Sequence, residues 1–335
     1  MELYTNDKIS YFIKLGKRLK AWEKGEEKWP ELDEAIKKSA IDNPFFTPFM
    51  QHYAINSLLS TFLNEEALEK WYSSYEKYFS ARRHINNVNK KIAIVMAGNI
   101  PLVGFHDLMC VIISGAIPIV KMSSKDRYLF PVLFPQIKFS TNYEILDTPI
   151  DALITMGSDK TAGVLSYKFR NIPTIIRGTR FSYAIIKGNE THDELLALAD
   201  DMLLYFGLGC RSVQHLFVPD GYDFSSLISA INSKEYMVNT PFFINSYRQA
   251  KALNIVEGNM YIDAKPLILI ESHEIFTSYA VVNFERYNNA DILDAFYQIN
   301  FDIIQKKYDN FGQAQKPSLD DYPDGIDTMK FLFDL

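Results

Sequence analysis

The sequence predicts an α/β protein built on parallel sheets behind a helical amino-terminal region. Three observations carry that reading. Short apolar, β-branched runs at residues 92–97, 117–122, 152–156 and 213–218 alternate with helix-length segments, the pattern of βαβ units. The first 86 residues instead repeat apolar positions at helical spacing. A chain of 335 residues, 47% hydrophobic and 23% charged, can bury a large core and form two domains or one elaborate one.

Residues 1–86 read as an aromatic-rich helical layer. Ile9, Phe12, Ile13 and Leu19, then Ile55, Leu58, Leu59 and Phe62, share helical spacing. Trp22, Trp29 and Trp71 are expected to pack this layer, which is assigned no chemistry. The basic runs Ala81-Arg-Arg-His84 and Lys90-Lys91 are expected to be solvated. At Lys91 the pattern changes. A buried strand at 92–97 ends at Gly98, and an apolar helix over 102–114 is closed by Gly115. With the strand at 117–122 this makes a βαβ unit whose strand ends face a ligand crevice. A helix at 128–139, a strand at 152–156, a helix at 160–169 and strands at 174–176 and 182–187 follow. Thr191-His-Asp-Glu194 resembles a capping box opening a helix that runs through Tyr205. Beyond Cys210 come a strand at 213–218, a helix at 224–231, strands at 267–270 and 279–284, and a helix at 290–299. A polar tail from 301 ends in the apolar stretch 329–335.

The totals exclude several classes. A net charge of -6 argues against a phosphate-backbone footprint, so no nucleic-acid partner is expected. Two cysteines make no disulfide framework, and a reducing cytoplasm is the expected compartment. The start Met1-Glu-Leu-Tyr-Thr-Asn-Asp lacks the basic and apolar regions of a signal peptide. Residues 92–120 are largely apolar, but His106 and Asp107 split them and Pro101 and Pro118 punctuate them. No membrane span is expected.

The stretch Tyr205-Phe-Gly-Leu-Gly-Cys-Arg-Ser212 is the centre of the candidate chemistry. Gly207 and Gly209 permit unusual backbone angles and a close approach to the chain. Arg211 or oriented N–H groups beside Cys210 would lower the thiol pKa from its reference of about 8.5. Taken alone, the stretch fits a small buried hydrophobe in a turn better, as most free cysteines do. Three further turns end predicted parallel strands: Gly98-Asn99-Ile-Pro101, Lys121-Met-Ser-Ser124 and Gly157-Ser158. A nucleotide is the usual ligand of such a crevice, although no GxGxxG is present. Lys121 suits a ribose or phosphate, or is a solvated strand-terminal lysine. Asn99 suits a helix cap as well as a site. Cys110, inside an apolar run, reads as structural, and His106 and Asp107 either line a pocket or satisfy a helix end. His215 and His273 lack the spacing of a metal cluster, so no metal site is predicted.

In this order the residues resemble the aldehyde dehydrogenase superfamily, and within it the LuxC-type acyl-CoA reductases, the long-chain fatty-acyl reductases. Five pieces carry the resemblance: Gly98-Asn-Ile-Pro-Leu-Val-Gly-Phe-His-Asp107, Gly115-Ala-Ile-Pro-Ile-Val-Lys-Met-Ser-Ser124, Thr155-Met-Gly-Ser158, Phe206-Gly-Leu-Gly-Cys210 and His273-Glu-Ile-Phe276. Phe311-Gly-Gln-Ala-Gln315 and Tyr322-Pro-Asp-Gly-Ile-Asp-Thr-Met329 resemble the reductases in particular. The resemblance implies a Rossmann-type NAD(P)-binding domain with the helical region at 1–188, an α/β catalytic domain at 189–300, and a tail at 301–335 packing back on the body. It implies Cys210 as the thiol nucleophile and Asn99 as its oxyanion partner. Lys121 would contact the adenosine ribose, Gly157 and Ser158 the pyrophosphate, Glu274 the nicotinamide ribose and Phe276 the ring. It also implies at least a dimer.

Departures from the family pattern matter as much. The superfamily's water-activating glutamate would fall at 176–178, where this chain has Ile176-Arg-Gly178 and no carboxylate. Hydrolysis of a thioester needs a general base, so its loss fits a reductase of acyl-CoA. Ser123, Ser124 and Lys125 replace the acidic residue that holds an NAD ribose hydroxyl, which favours NADPH over NAD. The segment between Cys210 and Glu274 is also compressed. The expected substrate is an acyl thioester on CoA or a carrier. Two other readings stay open: an acyl-accepting subunit fed by an acyl-protein synthetase or acyl carrier protein, and a non-catalytic scaffold.

Overall fold

The chain divides at Thr179 into two units, Met1–Thr179 with Lys316–Leu335, and Arg180–Gln315. In this computed structural model residues 9–82, 89–157, 159–238 and 240–335 are described. Arg83 and His84 of the amino-terminal basic run lie outside them.

The first unit opens with α1 (Ser10–Glu23), α2 (Pro30–Asp42), α3 (Pro48–Ser60), α4 (Glu65–Ser73) and α5 (Glu76–Arg82). Phe12, Leu15 and Leu19 form one fully buried stripe on α1, as helical spacing dictates. Thr47 caps α3 by accepting from the Met50 N–H at 3.2 Å, and Asn64 caps α4 by accepting from Ala67 at 3.0 Å. Trp22, Trp29 and Trp71 are all buried in this layer. Next come β1 (Lys91–Val95), α6 (Phe105–Ser114), β2 (Ile117–Lys121), α7 (Leu129–Leu133), β3 (Phe139–Ser140), β4 (Ala152–Met156), α8 (Asp159–Lys168) and β5 (Thr174–Arg177). The strands form one parallel sheet in the order β3-β2-β1-β4-β5, a doubly wound arrangement whose strand order reverses between β1 and β4.

Two helices differ from the sequence expectation for local reasons. The helix expected at 128–139 is only α7, because Pro135 disfavours helical angles at Phe134. The apolar helix starts at Phe105 and not at 102. Leu102 is left-handed, with φ 59°, and its N–H is taken by Asp126.

The second unit contains β6 (Phe181–Ile185), α9 (His192–Leu203), β7 (Val213–Pro219), α10 (Ser225–Asn232), α11 (Glu235–Val238), α12 (Pro241–Glu257), β8 (Ile262–Asp263), β9 (Ile268–Glu271), β10 (Val281–Tyr287), α13 (Ala290–Asn300) and β11 (Ile304–Tyr308). Its sheet runs β11-β6-β7-β10-β9-β8, parallel except for the antiparallel β8–β9 pair. The capping box at α9 is present in both directions. α9 stops at Leu203, since Tyr205 and Phe206 leave helical space. Sequence reading missed α12, although its buried Phe243, Tyr247, Ala250 and Asn254 recur every three or four residues. It also took β11 for tail: the strand is polar because it is an edge, with Lys307 exposed and Lys306 half-buried.

The expected boundaries at 188 and 300 therefore shift. β6 pairs with β7 and β11, so it belongs to the second unit, which runs on to Gln315. The last segment, with α14 (Thr328–Phe333), buries Met329 and Leu332 in the core of the first unit. Among the described residues no helix is long and apolar enough to cross a membrane.

Candidate functional site

In the first unit, hydrogen-bond register sets the candidate crevice. Lys121 is the last residue of β2 and pairs with Val95, which also pairs with Thr155 on β4. The loops beginning at 96, 122 and 157 therefore leave the sheet side by side, at the point where strand order reverses. Asn99 is exposed on the first loop, and Ser124 is exposed on the second beside the half-buried Ser123. Gly98 has a definite steric reason. A Cβ there would sit 2.3 Å from Ser123 Oγ and 2.5 Å from Ser123 Cβ, so only glycine lets the two loops touch. Lys121 is buried, and its ammonium lies 4.1 Å from the centre of the Tyr143 ring. Burial lowers its pKa below the ordinary lysine value. Around Gly157 the nearest atoms to a hypothetical Cβ are those of Thr161 at 3.7 Å and beyond, leaving the turn open. Ser158 lies outside the described residues.

Behind this crevice lies Asp126, which sequence reading passed over. It is 1% exposed, and one carboxylate oxygen accepts the Leu102 N–H at 2.8 Å while the other has no hydrogen-bond partner. Burial pushes its pKa up to about 7, against the lowering effect of that N–H. Asp126 is the first acidic residue after β2, and it points inward.

The position at 176–178 also has a structural answer. Arg177 ends β5 and binds both oxygens of Asp107 on α6, through Nε at 3.0 Å and Nη2 at 2.8 Å. Nη2 also donates to Thr328 Oγ1 at 2.8 Å, and Nη1 donates to the Pro323 carbonyl. All of these residues lie within the first unit. Burial raises the Asp107 pKa, but the Arg177 charge and hydrogen bonds prevail and hold it below the usual carboxylate range. His106 is buried too, its Nε2 being 3.1 Å from the Leu319 carbonyl, so both residues are internal fastenings. Cys110 is fully buried.

In the second unit, Cys210 sits between a distorted turn and β7, partly exposed. Tyr205, Phe206 and Gly207 have φ values of 54°, 60° and 70°, three left-handed residues in succession. Left-handed backbone costs about 1–2 kcal/mol per non-glycine residue, so surrounding contacts must hold it. Gln214 Nε2 donates to the Gly207 carbonyl at 2.9 Å, and Ser182 Oγ donates to the Cys210 carbonyl at 2.8 Å. Gln315 Nε2 donates to Ser212 Oγ at 3.0 Å. The segment carrying Gln315 is fixed in turn by buried Asp201 on α9, which accepts the N–H groups of Gly312 at 2.6 Å and Ala314 at 3.0 Å. The sequence stretch 311–315 thus has a task, which is to brace the cysteine turn.

Glu274 and Phe276 lie on the loop after β9. Their backbone is held against the α13 face of the sheet: Asn283 Nδ2 donates to the Glu274 carbonyl at 2.7 Å, and the exposed Phe276 ring meets Phe181 edge-on at 6.2 Å. The Glu274 side chain is exposed. Next to it, Glu285 lies between two imidazoles: His273 Nδ1 is hydrogen-bonded to Oε2 at 2.7 Å, and buried His215 Nε2 is 3.1 Å from Oε1 without hydrogen-bond geometry. Burial pushes the Glu285 carboxyl up, and its contacts with the two imidazoles outweigh this, leaving it below the ordinary range. Asn283 and Glu285 were absent from the sequence-level site. Alternation along β10 was the available signal, because residues 283 and 285 share a face with His215 and Phe217 of β7. Among the described residues no group of three or more His, Cys, Asp or Glu could hold a metal ion.

No protein-family description matches this chain, and no curated protein matches it. Solved structures do. Aldehyde dehydrogenase 21 from Physcomitrella patens, in complex with the reaction product succinate, superposes with a TM-score of 0.65 at 11% identity, over 97% of this chain and 83% of that one. The NAD+ complex of an aldehyde dehydrogenase from Bacillus cereus gives 0.56 at 13% identity, covering 85% and 68%. An engineered glycolyl-CoA reductase with bound NADP+ gives 0.54 at 9% identity, covering 88% and 75%. The fold is aldehyde-dehydrogenase-like.

Proposed function

We propose that this protein is an acyl-CoA reductase that converts an acyl thioester to an aldehyde with NADPH, through a thioester on Cys210. The cysteine turn carries the reading. A partly exposed thiol follows three left-handed residues and is braced by Ser182, Gln214 and the Ser212–Gln315 pair. Strained backbone held by its surroundings is characteristic of functional positions.

In the first stage the Cys210 thiolate adds to the thioester carbonyl. A new C–S bond forms, the donor C–S bond breaks, and the donor thiolate leaves and takes up a proton. The Cys210 N–H receives the developing oxyanion, a role that the family resemblance also assigns to Asn99. NADPH, held by the residues named below, would supply the hydride that brings the acyl carbon to the aldehyde level. Breaking the remaining C–S bond then releases the aldehyde and restores the Cys210 thiolate. The acyl thioester, NADPH and a proton give the aldehyde, the free thiol and NADP+.

The residues present fit such a cofactor. Lys121, Ser123, Ser124 and Gly157 border the strand-order reversal, with Glu274 and Phe276 assigned to the nicotinamide end. NADPH is favoured because Ser123, Ser124 and Lys125 offer hydroxyls and a cation where an acidic residue would repel a 2′-phosphate, while Asp126 faces inward. Reduction is favoured over hydrolysis because position 177 is an arginine already bound to Asp107, with no carboxylate there to activate water. The engineered glycolyl-CoA reductase with NADP+ supports the same chemistry on this architecture.

Incubation with a panel of radiolabelled acyl-CoAs tests the proposal. Stoichiometric label on wild type, none on Cys210→Ala, and NADPH-dependent aldehyde release are expected. Label persisting on Cys210→Ala would remove the nucleophile from the scheme. Label appearing only after addition of an acyl-protein synthetase or acyl carrier protein would make the donor carrier-bound.

A further inference from the structure

The loop after β9, residues 272–276, is tied to the second unit at every residue. The Ser272 N–H donates to the Phe284 carbonyl at 3.1 Å. His273 Nδ1 is hydrogen-bonded to Glu285 Oε2 at 2.7 Å. Ile275 packs against the cluster of Phe181, Tyr183 and Phe217, and the Phe276 ring meets Phe181 at 6.2 Å. At Glu274 both backbone groups are met by side chains. Its N–H donates to Ser272 Oγ at 3.0 Å, and its carbonyl accepts from Asn283 Nδ2 at 2.7 Å. The Glu274 carboxylate stays exposed.

Asn283 stands out among these partners. It lies on β10, an interior strand between β7 and β9, and is 4% exposed, while its neighbours Val281, Val282 and Phe284 are buried and apolar. An amide buried there destabilises the sheet unless it is hydrogen-bonded, and an aliphatic side chain fills the same volume without that cost. The Asn283 bond leaves the strand and holds the loop, so the amide serves Glu274 and not β10.

We propose that Asn283 is a positioning residue, fixing the backbone of Glu274 so that its carboxylate is aimed at the ribose hydroxyls of the cofactor's nicotinamide half. Ser272 fixes the other side of the same residue. The inference rests on the cofactor role proposed for Glu274 and adds the residues that aim it. With its N–H and carbonyl both held, Glu274 presents its carboxylate from a fixed Cα. Hydrogen bonds weaken steeply with misalignment, and a loop ordered in advance avoids an ordering cost when the ligand binds.

The test measures NADPH Kd by fluorescence titration, and Cys210 labelling by radiolabelled acyl-CoA, in wild type, Asn283→Leu, Ser272→Ala, Glu274→Ala and the Asn283→Leu, Glu274→Ala double variant. Asn283→Leu should weaken NADPH binding by roughly tenfold, the effect of one lost hydrogen bond, and Ser272→Ala should act in the same direction. Labelling of Cys210 precedes hydride transfer, so its rate should stay within about twofold of wild type. In the Glu274→Ala background, Asn283→Leu should change Kd by less than about twofold, because its effect passes through Glu274. Where Asn283→Leu does not fold, Asn283→Val is read in its place. An unchanged Kd in the Asn283 variant, an equal loss in both backgrounds, or labelling slowed in step with NADPH binding would overturn the positioning role. If no acyl-CoA labels wild type, the proposed reaction falls and the Kd values decide alone: coupling between positions 274 and 283 sustains the role, and additivity removes it. If Glu274→Ala binds NADPH as wild type does, the positioning role falls and the reaction stands. Absence of NADPH binding to wild type ends both.

Discussion

Arg177 grips both carboxylate oxygens of Asp107, at 2.8 and 3.0 Å, and the pair is almost completely removed from water. Breaking a buried pair from one side leaves an uncompensated charge, which typically costs about 3–5 kcal/mol. Asp107→Asn and Arg177→Met should each lower the unfolding free energy obtained from urea titration by that amount. A cost under ~1 kcal/mol in both would show that the pair is solvated in solution. The Asp107 pKa is lowered by folding, so its stabilisation is full above its unfolded value of about 3.8 and is lost as pH falls through the lower folded value.

Asp126 has the opposite sign. Its folded pKa is raised to about 7 from 3.8, so the folded state holds the proton more tightly and stability declines as pH rises from about 4 to about 7. Asp126→Asn keeps an acceptor for the Leu102 N–H without the charge. The variant should exceed wild type in stability above pH 7, by ~4 kcal/mol at most, with the gap closing towards pH 4. Parallel pH-stability curves for the two proteins would contradict this.

Under the proposed mechanism, Asn99→Ala should reduce turnover by roughly 100-fold or more, because an oxyanion donor is worth about 2.7–4 kcal/mol in the transition state. Cofactor affinity should change far less. A near-wild-type rate removes Asn99 from the mechanism.

Gly98→Ala places a methyl into Ser123 and should cost about 1–3 kcal/mol. Ser123→Gly in the same chain should recover much of that loss, since Ser123 supplies the two closest atoms. Additive effects in the double-mutant cycle would mean the loops do not touch.

The residues of the candidate site were readable because each occupies a short motif at a strand end. The contacts that hold them were not. Ser123 was expected from the sequence to be a cofactor residue, but that it dictates glycine at 98 follows only from the β1–β2 register. His215 and His273 lacked any shared spacing, yet they meet the two oxygens of Glu285 once β7 and β10 pair. The helix expected through Tyr205 failed because local periodicity does not register a run of left-handed residues held from outside the helix.

What the sequence by itself determined is the alternation of elements, the capping of α9, the glycine stop after α6 and the order of the motif-bearing turns. These are local, set by side-chain periodicity and backbone preference within a few residues. Tertiary structure alone decided which polar groups go inside and with whom: Asp107 with Arg177 and Thr328, 70 and 221 residues away, and Asp201 with the braces at Gly312 and Ala314. A charged residue is affordable inside only where a complementary partner arrives, and that arrival is a property of the folded chain, not of its neighbours in sequence.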